Sequence, residues 1–207
     1  MMFETPLVQY VNYAYYPPAL PVRRADDQGG PSYVARATIS ETHARGLTLA
    51  GTTQTGEPVT ITITACAPGI VRVQLEDAQS DPGRVRLARD LSNQPINVQV
   101  DGTRLVLDDL VVEITLDPFR VAFQRPDGSS LLAQDYADAD AVGRLTALPF
   151  GFSEVDGQRV AFHDSFEVEP DEHFFGFGEQ FTDFDKRGQR VTIWHYDALG
   201  AHSRRSY

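Results

Sequence analysis

From Tyr33 onward, the side chains alternate in polarity with a period of two, and this pattern constrains the fold more than any other feature of the chain. Thr60 to Thr64 alternates hydroxyl and apolar side chains. Val71, Val73 and Leu75 alternate with Arg72, Gln74 and Glu76. Residues i and i+2 of a strand share a face, so each stretch reads as a half-buried strand with one wet side. No window of a dozen residues carries the 3.6-residue stripe of an amphipathic helix. Turn signals punctuate the strands. Asn97 to Leu107 reads as a hairpin turning on Asp101-Gly102, and Asp127-Gly128 and Asp156-Gly157 repeat that chemistry. Thr55-Gly56-Glu57 turns another hairpin. Strands with one apolar face must pack those faces together, which predicts an all-β fold with little helix, a two-sheet antiparallel β-sandwich.

The 207 residues suffice for one large β domain. A chain of this length buries about 70% of its unfolded surface and needs no disulfide or metal to hold a core. Its single cysteine, Cys66, lies in an apparent strand, Ile61 to Cys66, and is expected to be a buried, inert thiol. Residues 1–32, rich in Tyr and Pro, read as an extended N-terminal arm that packs through Tyr10, Tyr13, Tyr15 and Tyr16 or stays partly ordered. Residues 33–197 read as the sandwich and 198–207 as a C-terminal segment. The net charge of −11 argues against nucleic acid and anionic membranes as partners. No apolar run reaches membrane-span length, and the N-terminus lacks a basic leader, so the expected location is cytoplasmic.

Residues of chemical interest concentrate between Phe174 and Asp197. Gly176-Phe177-Gly178 lacks the third glycine of a dinucleotide fingerprint, where Phe181 stands, and has no βαβ context; it reads instead as glycines within an aromatic strand. Asp135, Asp138 and Asp140 suggest a calcium loop. Counted from Asp138, Gly143 falls at the glycine position, but Val142 and Pro149 stand where ligands are required, so the loop reads as solvated. His43, His163, His173, His195 and His202 are scattered without zinc-ligand spacing. No metal and no cofactor is expected. Glu167, Glu169, Asp171, Glu172, Glu179, Asp183 and Asp185 crowd one region, some of them set to answer Lys186, Arg187 and Arg190. Trp194, the only tryptophan, reads as a core residue of a strand or as a platform for a sugar face.

Three groups of residues resemble the end of the N-terminal domain of glycoside hydrolase family 31, the α-glucosidase and α-xylosidase family. They are Phe174 to Glu179, Lys186-Arg187-Gly188 and Trp194-His195-Tyr196-Asp197. Asp127-Gly128-Ser129-Ser130-Leu131 resembles a hairpin of the same family. The resemblance is specific from Phe174 to Asp197 and diffuse before it. It implies a galactose-mutarotase-like supersandwich and a catalytic (β/α)8 barrel beyond residue 207, which carries the nucleophile and the general acid. No catalytic residue is therefore expected in this chain, and the chain alone is expected to be inactive. The resemblance further implies that Asp197, with His195 and Trp194, contacts an α-linked glucoside or xyloside at the barrel mouth. His195 replaces the family's usual asparagine, which alters the local hydrogen-bond pattern. Residues 198–207 would pack on the barrel and be mobile without it. A stand-alone carbohydrate-binding module and an aldose-epimerase-like enzyme are the alternatives. The epimerase requires a histidine acid and a carboxylate base converging on one sugar carbon, and spacing nominates no such pair.

Overall fold

The computed structural model describes residues 31–76, 95–136, 138–139, 145–155, 157–177, 182–189, 191–193 and 205–206. The expected N-terminal arm lies outside these residues. The chain divides into two compact units, Met1–Glu167 and Val168–Tyr207.

The first unit is the predicted sandwich. One sheet contains six strands: β1 (Ser32–His43), β2 (Gly46–Thr53), β3 (Pro58–Ala67), β4 (Ile70–Leu75), β12 (Gly151–Val155) and β13 (Gln158–His163), in the order β13-β12-β1-β2-β3-β4. The other is a five-stranded meander of β5 (Val98–Asp101), β6 (Arg104–Leu107), β7 (Val111–Leu116), β8 (Phe119–Gln124) and β9 (Ser130–Ala133). A small pair, β10 (Asp138–Ala139) and β11 (Leu145–Ala147), lies between the meander and β12 in sequence. Every pairing in the two large sheets is antiparallel, and no helix occurs among the described residues.

The period-two pattern becomes the core directly. Along β3, Val59, Ile61, Ile63, Ala65 and Ala67 are buried while Thr60, Thr62, Thr64 and Cys66 face the other way. Leu47 and Leu49 of β2 join them, and Leu105, Val112 and Val121 answer from the second sheet. Full burial of a leucine or isoleucine stabilises by about 1.5–3 kcal/mol, which makes this layer the main support of the fold. Cys66 is on a strand as expected, but it is only half-buried. Strand alternation puts it opposite Ala65 and Ala67, on the face away from the core.

The hairpin predicted at Asp101-Gly102 is present with its loop shifted by one residue. Asp101 pairs with Arg104, so Gly102-Thr103 makes the turn. Gly102 alone takes a positive φ, 56°, which is the pattern of a type II′ rather than a type I′ turn. The β12–β13 hairpin meets β1 at Gly151, where an added Cβ would lie 2.1 Å from the Ser32 carbonyl oxygen. Only glycine lets these backbones approach. Arg159 of β13 then secures the hairpin. Its guanidinium lies 4.0 Å over the Phe152 ring, bonds Glu57 at 3.1 Å, and reaches the Glu76 carbonyl at 2.9 Å.

A second tie uses Gln134, which is 3% exposed. Its Oε1 accepts from the Val121 amide at 2.8 Å and its Nε2 donates to Asp164 at 2.8 Å. The Asp164 carboxyl is raised above its usual range, chiefly by desolvation and against the Gln134 hydrogen bond. Asp135 donates its backbone N–H to the Ser165 carbonyl at 2.8 Å, and Asp138 forms part of β10.

Candidate functional site

The second unit is a loop structure tied by polar contacts. Among its described residues, the strands β14 (Thr192–Ile193) and β15 (Arg205–Ser206) form one short parallel pair. Of the C-terminal segment 198–207, only Arg205 and Ser206 fall among the described residues.

Asp185 is the hub of the loop. Its Oδ1 accepts the Phe174 amide at 3.2 Å and the Arg187 amide at 3.0 Å, and its Oδ2 lies 2.6 Å from His173 Nδ1. The Arg187 amide bond, the His173 contact and the Phe174 amide bond hold the Asp185 carboxyl down at about 2, against the opposing effect of burial. The backbone adds a return bond, from the Lys186 amide to the Phe174 carbonyl at 2.7 Å. Gln189 closes the next turn. Its amide donates to the Lys186 carbonyl at 3.0 Å, and its side-chain Nε2 donates to the Asp185 carbonyl at 2.7 Å.

The cations behave differently from the sequence expectation. Lys186 and Arg187 were set against neighbouring carboxylates. The Arg187 guanidinium instead donates to the backbone carbonyls of Glu169, at 2.8 Å, and Glu172. Lys186 donates to Thr182 Oγ1 at 2.9 Å and to the Asp183 carbonyl. Carbonyls win because the tight loop brings backbone oxygens closer than the ends of flexible acidic side chains. Lys186 is the only lysine in the chain, and it is 7% exposed.

Phe174 to Phe177 does not form the aromatic strand expected. Gly176 has φ of 103° and Phe177 of 67°, which breaks any strand and places a bulky side chain in the left-handed region. The aromatic rings fan outward. His173 stacks on Phe175 at 6.2 Å, Phe175 lies 5.0 Å from Phe184, and Phe184 is 82% exposed. Phe174, Phe177, Lys186, Gly188, Gln189 and Val191 line an open cavity of about 330 Å³.

Asp197, His195 and Trp194, the expected substrate-binding residues, lie outside the described residues. His43 bonds Thr48 on an exposed strand end, and His163 donates its Nδ1–H to the Pro149 carbonyl at 2.7 Å. His173 and Asp185 do form a histidine–carboxylate pair, but they bond each other, and the carboxylate also holds two amides. A carboxylate so occupied, with its pKa near 2, is a poor general base. Among the described residues, no cluster of three or more His, Cys, Asp or Glu is placed to hold a metal ion. The Asp185 hub was not foreseen; its sequence signal is an aspartate two residues before a turn residue, which is common in loops.

Two antiparallel sheets followed by a polar-tied loop unit define the class: an all-β sandwich domain with an appended loop unit. Residues 60–207 match the glycosyl hydrolase 31 N-terminal galactose mutarotase-like domain, and the chain belongs to that family. An isomaltosyltransferase from Sporosarcina globispora is 29% identical over 147 residues, which cover 71% of this chain and 13% of the relative. Two solved structures share the fold. A cycloalternan-forming enzyme from Listeria monocytogenes aligns over 86% of this chain and 16% of its own, with a TM-score of 0.61 and 21% identity. A Flavobacterium johnsoniae GH31 dextranase aligns over 84% of this chain and 20% of its own, with a TM-score of 0.55 and 16% identity. The chain thus spans 13% to 20% of the length of these proteins.

Proposed function

We propose that this chain is the accessory N-terminal domain of a retaining α-glycosidase or α-glucosyl-transferring enzyme that acts on α-linked glucosides or xylosides. The observation that carries this reading is the family match over residues 60–207, which includes the Trp194 to Asp197 segment. The names of the relatives, an isomaltosyltransferase and a dextranase, favour α-glucans among the possible substrates.

In this reading the sandwich braces a catalytic barrel, and two barrel carboxylates form and resolve a glycosyl-enzyme intermediate. This chain supplies binding at the substrate entrance. Asp197 accepts hydrogen bonds from sugar hydroxyls, which strengthen as water is excluded. Trp194 offers an apolar face to the sugar's C–H surface, and His195 tunes the hydrogen-bond pattern beside it.

The purified chain is expected to leave an aryl α-glucoside unhydrolysed, while the protein carrying the barrel turns it over. In that protein, Asp197→Ala is expected to raise KM about ten-fold, the loss of one hydrogen bond to a charged group. Turnover by the chain alone, abolished by a point change within it, would overturn the reading.

A further inference from the structure

The cavity of the loop unit has walls of two kinds. Phe174, Phe177 and Val191 are apolar, while Lys186 and Gln189 carry polar ends and Gly188 leaves the backbone open. At about 330 Å³ it lies at the small end of the range for ligand sites, where one or two rings fit. The polar inventory is asymmetric. The Lys186 ammonium has three N–H donors, and the described residues engage two of them, through Thr182 Oγ1 and the Asp183 carbonyl. Gln189 spends its Nε2 on the Asp185 carbonyl, so its Oε1 is the end with acceptor capacity. The residues lining the cavity therefore include a cation, a side-chain amide and two phenylalanine rings.

Those groups decide the ligand's chemistry. A purely apolar ligand would strip water from a buried ammonium without replacing its hydrogen bonds, which is costly. A free anion would match the ammonium, but Glu169, Glu172, Asp183 and Asp185 belong to the same unit and the chain carries a net charge of −11. Those charges oppose an anion's approach. A neutral polyhydroxyl ring meets every requirement. One hydroxyl accepts from the ammonium, another donates to the amide oxygen, and the C–H face lies on a phenylalanine ring.

We propose that this cavity is a binding subsite for one unit of a neutral saccharide, separate from the expected contacts of Trp194, His195 and Asp197. That the polyhydroxyl ligand is a sugar rests on the function proposed above; the donor, acceptor and aromatic arrangement stands without it.

Because Lys186 is the only lysine, incorporation of lysine carrying ¹³C at Cε gives a single side-chain signal from the full chain, and that signal reports on this cavity. Titration with isomaltotriose or maltotriose is expected to shift it saturably, and sodium acetate at the same ionic strength is expected to leave it in place. Phe177→Ser and, separately, Gln189→Ala are expected to abolish the saturable shift while the sandwich keeps its melting temperature. An unmoved signal with both saccharides overturns the proposal. So does a shift produced by acetate alone, or a saccharide shift that survives both substitutions. The measurement needs no barrel and no catalysis, so its failure is distinct from failure of the hydrolysis and KM tests of the proposed function.

Discussion

Asp185 receives two backbone amides and a histidine, and its loop follows from those bonds. A carboxylate held by donors in the folded state is harder to protonate than in the unfolded chain. Its pKa is about 2 against an ordinary 3.8, so its contribution to the loop is fully present above the ordinary value and is lost as pH falls toward 2. Titration of the Phe174 and Arg187 amide resonances should therefore show a midpoint near 2. Asp185→Ala should abolish that titration, and Asp185→Asn should keep the amides near their native positions because its oxygen still accepts. A midpoint near 3.8 would contradict the hydrogen-bonded hub. None of this was legible in the residues alone. The acidic crowding was visible, but the sequence offers no means of telling which carboxylate would face amides 11 residues away. Likewise, Phe177 at positive φ runs against the preference of its side chain, so the expectation of a strand there failed at the backbone.

At the scale of elements, the strands were legible because burial copies the period of two. Thr60 to Thr64 and Val71 to Leu75 lie on strands β3 and β4 with the expected faces. The turns were legible in place but not in register, since Asp101-Gly102 and Gly102-Thr103 differ by one residue and both satisfy a glycine-bearing hairpin. The ties between elements were invisible. Gln134 and Arg159 act across 13 to 102 residues of sequence, and polarity alone marks neither as a tie. Gln134→Leu should leave the Val121 amide unpaired in the interior and destabilise the sandwich by about 1–3 kcal/mol, read as a lower midpoint in urea. Leu49→Ala, which opens a void in the central layer, should cost about 2–5 kcal/mol by the same measurement. Gly151→Ala should loosen the β1–β12 junction, seen as faster exchange of the Val34 amide that now bonds the Phe150 carbonyl at 3.0 Å. An unchanged urea midpoint for Gln134→Leu would show that its two hydrogen bonds do not hold the sheet.

At the scale of the whole molecule, the buried apolar core lies in the sandwich, and the loop unit is rich in aromatic and charged residues. The loop unit collects the residues that ordinary packing does not require, including the single lysine and the exposed Phe175 and Phe184. The family was legible in the sequence because its markers are local: glycines and aromatics from Phe174, the Arg187-Gly188 step, and the segment from Trp194. The central claim is that these residues serve a catalytic barrel encoded with them. Reading the coding sequence past the Tyr207 codon tests it most directly. The account predicts an in-frame continuation into alternating strands and helices with aspartates at strand ends. A stop codon immediately after Tyr207 would contradict it.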